Sequence, residues 1–220
     1  MKNNRLNRYE NEFNYSVNKC YRWWNIFKPR IKYDQKDIDA EKLSTAIEEH
    51  LHKNSLPSLE VSAMQCLKWT VFLQAEFLKR YFMKTYNLKA WLTIGELWDG
   101  DTAVFCPSES QLNEWISNGV HPGNIPKTGI NVHAWLTTEN GYAIDLTLLS
   151  SKSVFLGGKW KSYAGKVLVL NLKDESQSLK YKPLLVGSNI AWAIHEKSSI
   201  PLLAENTNEL HIEVVTCITL

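Results

Sequence analysis

Around Asn87 the apolar residues of this chain change their spacing, and that change limits the fold more than any other feature. Before it, Leu43, Ala46, Ile47 and Leu51 recur every three or four residues, as do Leu67, Val71, Ala75, Leu78 and Phe82. Such spacing gathers side chains on one face of a helix. After it, Leu88 to Ile94, Ile130 to Thr137 and Tyr142 to Thr147 are short stretches of strand-forming residues separated by turn signals. Helices first and a largely antiparallel sheet afterwards make an α+β chain, with the sheet packed on a central helix.

The element ends carry their own signals. Asp39 is placed to cap the helix that begins at Ala40. Pro57 discourages helix through the linker that follows. Ser62 and Gln65 fit a capping box, so the next helix is predicted to run from Ser62 to about Lys84 with Cys66 near its start. Asp99-Gly100 turns the first strand into a second, Thr102 to Cys106. A second capping box, Ser108 to Gln111, opens a short helix that Asn118-Gly119 closes. A Pro/Gly-rich loop, 119–129, could border a site. Further strands are expected at Lys166 to Leu172 and His211 to Leu220, and residues 1 to 18 are expected to be loose.

Composition excludes several classes. With 220 residues, 44% hydrophobic and 22% charged, the chain has the balance of one soluble globular domain. No apolar run approaches the ~18 to 20 residues of a spanning helix, and the amino terminus has no apolar signal region. A cytoplasmic protein without a membrane partner is the expectation. The net charge of +2 hides an asymmetry: residues 1–36 hold nine Lys/Arg against three Asp/Glu, and 37–220 hold 16 against 20. The basic, aromatic segment 1–36 is therefore set apart from a single domain, 37–220. Its Trp23, Trp24 and Phe27 have the spacing of a short buried face, which favours packing over a nucleic-acid patch.

Four cysteines, Cys20, Cys66, Cys106 and Cys217, share no disulfide or zinc spacing. His50 and His52, two apart on a helix, do not face each other; Asp99 and Asp101 lack further calcium ligands. No metal and no cofactor is expected, and there is no phosphate-binding glycine motif. A thiol at a helix amino terminus stands where the macrodipole favours a thiolate. Of the four, only Cys66 meets that condition. A nucleophile also needs a base and a group that orients the base. His133 and Asp145 lie on the two arms of a hairpin, and parity decides whether they share a face. A two-residue Asn140-Gly141 turn would separate them. A three-residue loop, with Gly141 as the left-handed bulge residue, pairs Thr138 with Tyr142 and makes His133 and Asp145 diagonal neighbours. The second register is predicted. A carboxylate between Ile144 and Leu146 needs a partner, and His133 has the parity to be one.

These residues resemble a family. Cys66 opening a helix, Ile94-Gly95 ending a strand, His133-Ala134-Trp135 and then Ile144-Asp145-Leu146-Thr147 are similar to the transglutaminase-like branch of the papain-like cysteine enzymes. The nearest pattern is the small bacterial transglutaminase-like group that includes lasso-peptide leader peptidases. The resemblance covers Ser62 to Leu149, about two-fifths of the chain. It implies a papain/transglutaminase-like fold, with Cys66 as nucleophile, His133 as general base and acid, and Asp145 fixing the His133 tautomer. It implies a peptide or protein substrate, cleaved at a peptide or amide bond as by a peptidase or glutamine deamidase. Transfer of the acyl group to an amine is the alternative, as is an inactive binding protein that uses its basic amino-terminal segment. The Cys66 backbone N–H is one oxyanion donor, and Gln65 and Trp135 are the candidates for the second. Oligomeric state stays open.

Overall fold

A computed structural model describes residues 7–21, 28–32, 37–53, 65–74, 89–127 and 129–211. Helices α1 (Arg8–Cys20), α2 (Ala40–Lys53) and α3 (Cys66–Leu73) precede β1 (Ala90–Asp99) and β2 (Thr102–Phe105). Helix α4 (Glu109–Asn118), β3 (His133–Thr138), β4 (Tyr142–Asp145) and α5 (Leu148–Leu156) follow, then β5 (Leu168–Asn171), β6 (Leu179–Val186) and α6 (Ser188–Lys197). The fold is α+β with an antiparallel sheet.

Strand β1 is the centre of that sheet. Its residues Thr93 to Asp99 pair with β6, so its other edge must serve both β3, opposite Ala90 to Gly95, and β2, opposite Leu97 to Asp99. Strands β2 and β3 therefore lie end to end along one edge of β1. This brings Phe105, the last residue of β2, beside His133, the first of β3. Strands β4 and β5 extend the sheet beyond β3.

Alternation gives the sheet two apolar faces. Leu92, Ile94, Ala134, Leu136 and Ile144 face α2 and α3, whose Leu43, Ile47, Trp69 and Val71 are buried against them. Leu97, Trp135, Ala143 and Tyr181 face α1, through Tyr9, Phe13 and Val17. Helix α1 replaces the loose amino terminus expected from sequence. Asn7 caps it by accepting from the Glu10 N–H at 2.8 Å, and Tyr9, Phe13 and Val17 recur at the four-residue spacing of a buried face. Each such burial is worth about 2 kcal/mol. The Ser16 hydroxyl adds a bond to the Pro183 carbonyl at 2.8 Å. The amino-terminal segment thus shares a core with the sheet, at least over α1.

Several expected ends are found where the caps put them. Asp39 accepts from the Lys42 N–H, Ser108 accepts from the Gln111 N–H, and Gly119 closes α4. Helix α3 differs: it begins at Cys66 with Gln65 as its N-cap, and Gln65 makes no side-chain cap bond. The predicted cap Ser62, the stripe from Ala75 to Phe82, the aromatics Trp23, Trp24 and Phe27, and residues 212–220 of the expected last strand lie outside the described residues. Thr207–His211 is a 3-10 turn. Among the described residues, no helix is long and apolar enough to cross a membrane.

Candidate active site

The hairpin between β3 and β4 sets the geometry. Leu136 pairs with Ile144 and Thr137 with Ala143, the three-residue register that the sequence predicts. Gly141 has φ 83° and its N–H bonds the Thr138 carbonyl at 3.0 Å. The Tyr142 N–H donates to the Thr138 hydroxyl at 2.9 Å, which closes the loop from the other side. Extending this register sets Trp135 opposite Asp145 and His133 one step along the same face. There His133 Nε2 meets Asp145 Oδ2 at 2.5 Å, and both side chains are buried.

Asp145 is held on every side. Its Oδ1 accepts from the backbone N–H groups of Thr147 at 3.1 Å and Leu148 at 3.0 Å, the open start of α5. Its Oδ2 also accepts from the Tyr181 hydroxyl at 2.7 Å. Burial pushes the Asp145 pKa up, but the His133 charge and these hydrogen bonds outweigh it and hold the carboxyl below its ordinary value. Burial and the neighbouring Asp145 charge push Tyr181 well above the ordinary tyrosine value, so it stays a neutral donor.

Burial pulls the His133 imidazole toward neutrality. The Asp145 charge and hydrogen bond act against it, with a smaller addition from Cys66 as hydrogen-bond partner and as charge, and the ring is pushed up to about 10. Since Nε2 is taken by Asp145, Nδ1 is the nitrogen left for Cys66. That Nδ1 is buried and has no well-aligned partner. The Cys66 thiol instead points to the Val132 carbonyl oxygen at 3.6 Å. The ring is fixed from its sides: Phe105 stacks on it at 4.9 Å and 16°, and Trp135 lies at 6.2 Å and 22°.

Cys66 and His133 come from opposite faces of the sheet, and the Cys66 thiol meets the carbonyl of Val132, the residue before His133. Helix α3 packs on the face of Ala134 and Leu136, where the Thr70 hydroxyl bonds the Ala134 carbonyl at 3.3 Å. His133 and Asp145 belong to the face covered by α1. The two sides meet at the first residue of β3, where the sheet edge ends and the first turn of α3 begins. Cys66 is partly exposed there. As the first helical residue, it brings backbone N–H groups that lack intrahelical partners.

The remaining sequence candidates divide. Gln65 sits beside Cys66, and its buried Oε1 has no hydrogen-bond partner. Trp135 cannot be an oxyanion donor: its indole is fully buried and its N–H is given to the Tyr9 hydroxyl at 3.0 Å. It is a wall of the His133 pocket. The same Tyr9 hydroxyl shares a bond with Thr137 at 2.6 Å, and Thr137 with Thr93 at 2.8 Å, a buried hydroxyl chain that ties α1 to the site. In the Pro/Gly-rich loop, the His121 ring bonds Ser199 and the Asn118 carbonyl. Burial raises the pKa of both Cys20 and Cys106, and Glu96 adds to it at Cys106; Cys217 lies outside the described residues.

No family model, curated protein or solved structure matches the chain. Function must therefore be argued from the site. Sequence reasoning missed two of its parts. Tyr181 lies on β6, whose Lys180, Lys182 and Pro183 obscure the strand, and Pro is tolerated there because β6 is an edge. Phe105 was visible as a strand residue, but only the end-to-end placement of β2 and β3 brings it to His133. Among the described residues, no group of three or more His, Cys, Asp or Glu could hold a metal ion. A cavity of about 520 Å³ opens between α1, the end of β1 and β6; Tyr181 lines it, and neither Cys66 nor His133 does.

Proposed function

We propose that this chain is a cysteine-dependent acyl-transfer enzyme of the transglutaminase-like type, acting as a hydrolase of peptide or amide bonds. The observation that carries the reading is a buried His133–Asp145 pair beside Cys66, the first residue of α3, whose thiol meets the carbonyl of Val132, the residue before His133. Cys66 and His133 act as a thiolate–imidazolium pair, with the thiol proton already resting on His133 Nδ1 and Nε2–H turned to Asp145, and the thiolate attacks the substrate carbonyl carbon. In this reading the Cys66 backbone N–H is one oxyanion donor and Gln65 is the candidate for the second. His133 then gives its proton to the leaving nitrogen as the C–N bond breaks, which leaves a thioester on Cys66. Water, deprotonated by His133, adds to that thioester; the C–S bond breaks, the thiol is restored and a carboxylic acid departs.

Asp145 keeps its charge throughout. It orients the ring and stabilises the imidazolium without taking its proton. The substrate is a peptide or protein, and transfer to an amine in place of water remains the variant of the same chemistry.

The test is thiol selectivity. Iodoacetamide near neutral pH, followed by peptide mapping, should alkylate Cys66 ahead of Cys20, Cys106 and Cys217. His133→Ala should abolish that preference. Equal and slow alkylation of all four thiols would overturn the assignment.

A further inference from the structure

Residues 146–173 contain Lys152, Lys159, Lys161, Lys166 and Lys173 and no Asp or Glu. Within this stretch α5 ends in Val154, Phe155 and Leu156, which are 64%, 40% and 57% exposed. Three adjacent large apolar side chains left exposed at one helix end mark an interaction surface. Gly157 and Gly158, at φ 56° and 51°, then turn the chain into the 3-10 segment Gly158–Tyr163. Tyr163 is 46% exposed, and its ring lies 5.6 Å from that of Trp160. Lys152 and Lys159 sit over the Trp160 ring at 4.7 and 5.5 Å.

We propose that this edge, from Val154 to Tyr163, docks on the surface of an anionic lipid bilayer. Geometry argues against a protein groove. Successive helical residues point roughly 100° apart, so three adjacent exposed side chains spread around the helix end and share no flat face. A rigid partner would meet one or two of them, whereas a fluid bilayer can receive all three. Trp and Tyr are the side chains suited to the headgroup level, and lysines suit a negative surface. The acid tied to this edge is paired: Asp99 meets Lys152, the lysine over the Trp160 ring, at 2.9 Å. Among the described residues Lys159 and Lys161 form no ion pair, which leaves them to the lipid. The absence of a spanning segment, on which the expectation of no membrane partner rested, does not bear on a surface contact.

Vesicle flotation of the full chain tests this. Vesicles of phosphatidylcholine and phosphatidylglycerol in equal parts should bind at least about tenfold more protein than vesicles of phosphatidylcholine alone, and added salt should weaken the binding. Phe155→Ser with Leu156→Ser, and separately Lys159→Glu with Lys161→Glu, should each abolish it while the melting temperature stays that of the wild type. Cys66→Ala should float like the wild type, which separates this proposal from the acyl-transfer reading. No flotation, or flotation indifferent to these substitutions, overturns it. So does a concentration-dependent dimer in sedimentation that Phe155→Ser with Leu156→Ser dissolves, since a second copy would then be the occupant.

Discussion

The Tyr181 hydroxyl donates to Asp145 Oδ2 at 2.7 Å, on the same oxygen that meets His133 Nε2 at 2.5 Å. With Oδ1 filled by the Thr147 and Leu148 N–H groups, the carboxylate has a donor in each direction it can accept from. It cannot turn without breaking one of them. Its charge is therefore fixed where it holds the imidazole in one orientation, and Tyr181 is part of that fixing although it touches neither Cys66 nor His133 through a hydrogen bond.

Tyr181→Phe tests this role with little change of shape. A hydrogen bond to a charged group is worth about 1.5 to 3 kcal/mol, and the variant should lose stability in that range by urea unfolding. Alkylation of Cys66 should slow, but less than in Asp145→Asn, because the other three donors to Asp145 remain. A Tyr181→Phe protein as stable and as reactive as wild type would show that the hydroxyl contributes no constraint.

The same pair makes stability depend on pH. His133 is pushed from its ordinary 6.5 to about 10, so its contribution is complete below pH 6.5 and is lost as pH rises toward about 10. Asp145 is held below its ordinary 3.8, so its contribution is complete above that value and is lost as pH falls through the folded-state value. The pair should stabilise most between pH 3.8 and 6.5. Asp145→Asn leaves a buried imidazole without its counter-charge and should cost about 3 to 5 kcal/mol within that window. The difference in urea midpoint between wild type and variant should shrink from pH 6.5 upward. A difference that stays constant across that range would mean that Asp145 does not keep a proton on His133.

Gly141 carries the hairpin register. Its φ of 83° is a conformation that other residues adopt at a cost of about 1 kcal/mol. Gly141→Ala should destabilise by about that amount while leaving His133 and Asp145 on one face. Gly141→Val should cost more, because a β-branched residue resists positive φ. Amide exchange at Tyr142, which donates to the Thr138 hydroxyl, reports whether the loop holds. A slip to a two-residue turn in either variant would put Asp145 on the other face, and Cys66 would lose its alkylation preference.

That register was legible in the sequence because Glu139-Asn140-Gly141 admits only two turns and only one lets a buried carboxylate find His133. Local signals of this kind, with the caps at Asp39 and Ser108 and the turn at Gly100, act over a few residues and survive in a bare sequence. Helix α1 carried a readable spacing in Tyr9, Phe13 and Val17, but the surrounding Asn and Arg residues have the composition of a loose terminus, and only the presence of a sheet face to cover decides the matter. Tyr181 was out of reach for a different reason. It is 36 residues from Asp145 on a strand that pairs with β1, and no local pattern reports such a contact. Trp135, a candidate oxyanion donor from sequence, has its indole driven by strand parity into the core beneath α1.

Gly95 faces His133 across the β1–β3 ladder and owes its identity to crowding, not to φ. A Cβ there would fall 2.0 Å from the Lys182 carbonyl oxygen and 3.0 Å from the far edge of the Trp135 ring. The first contact is with backbone, at the place where β1 and β6 shift register between Ile94 and Gly95, so relief requires moving β6. The second presses on the ring that forms one wall of the His133 pocket. Gly95→Ala should therefore destabilise by about 2 to 4 kcal/mol in urea unfolding, at the upper end of what overpacking usually costs. Displacement of β6 carries Tyr181 with it, so Cys66 alkylation should slow in the same variant. Gly123→Ala, with nothing within 4 Å of the added Cβ, is the matched control and should behave as wild type. If Gly95→Ala unfolds with the midpoint of that control, β6 yields at this point without cost, and the coupling between the β1–β6 contact and the His133 pocket is absent.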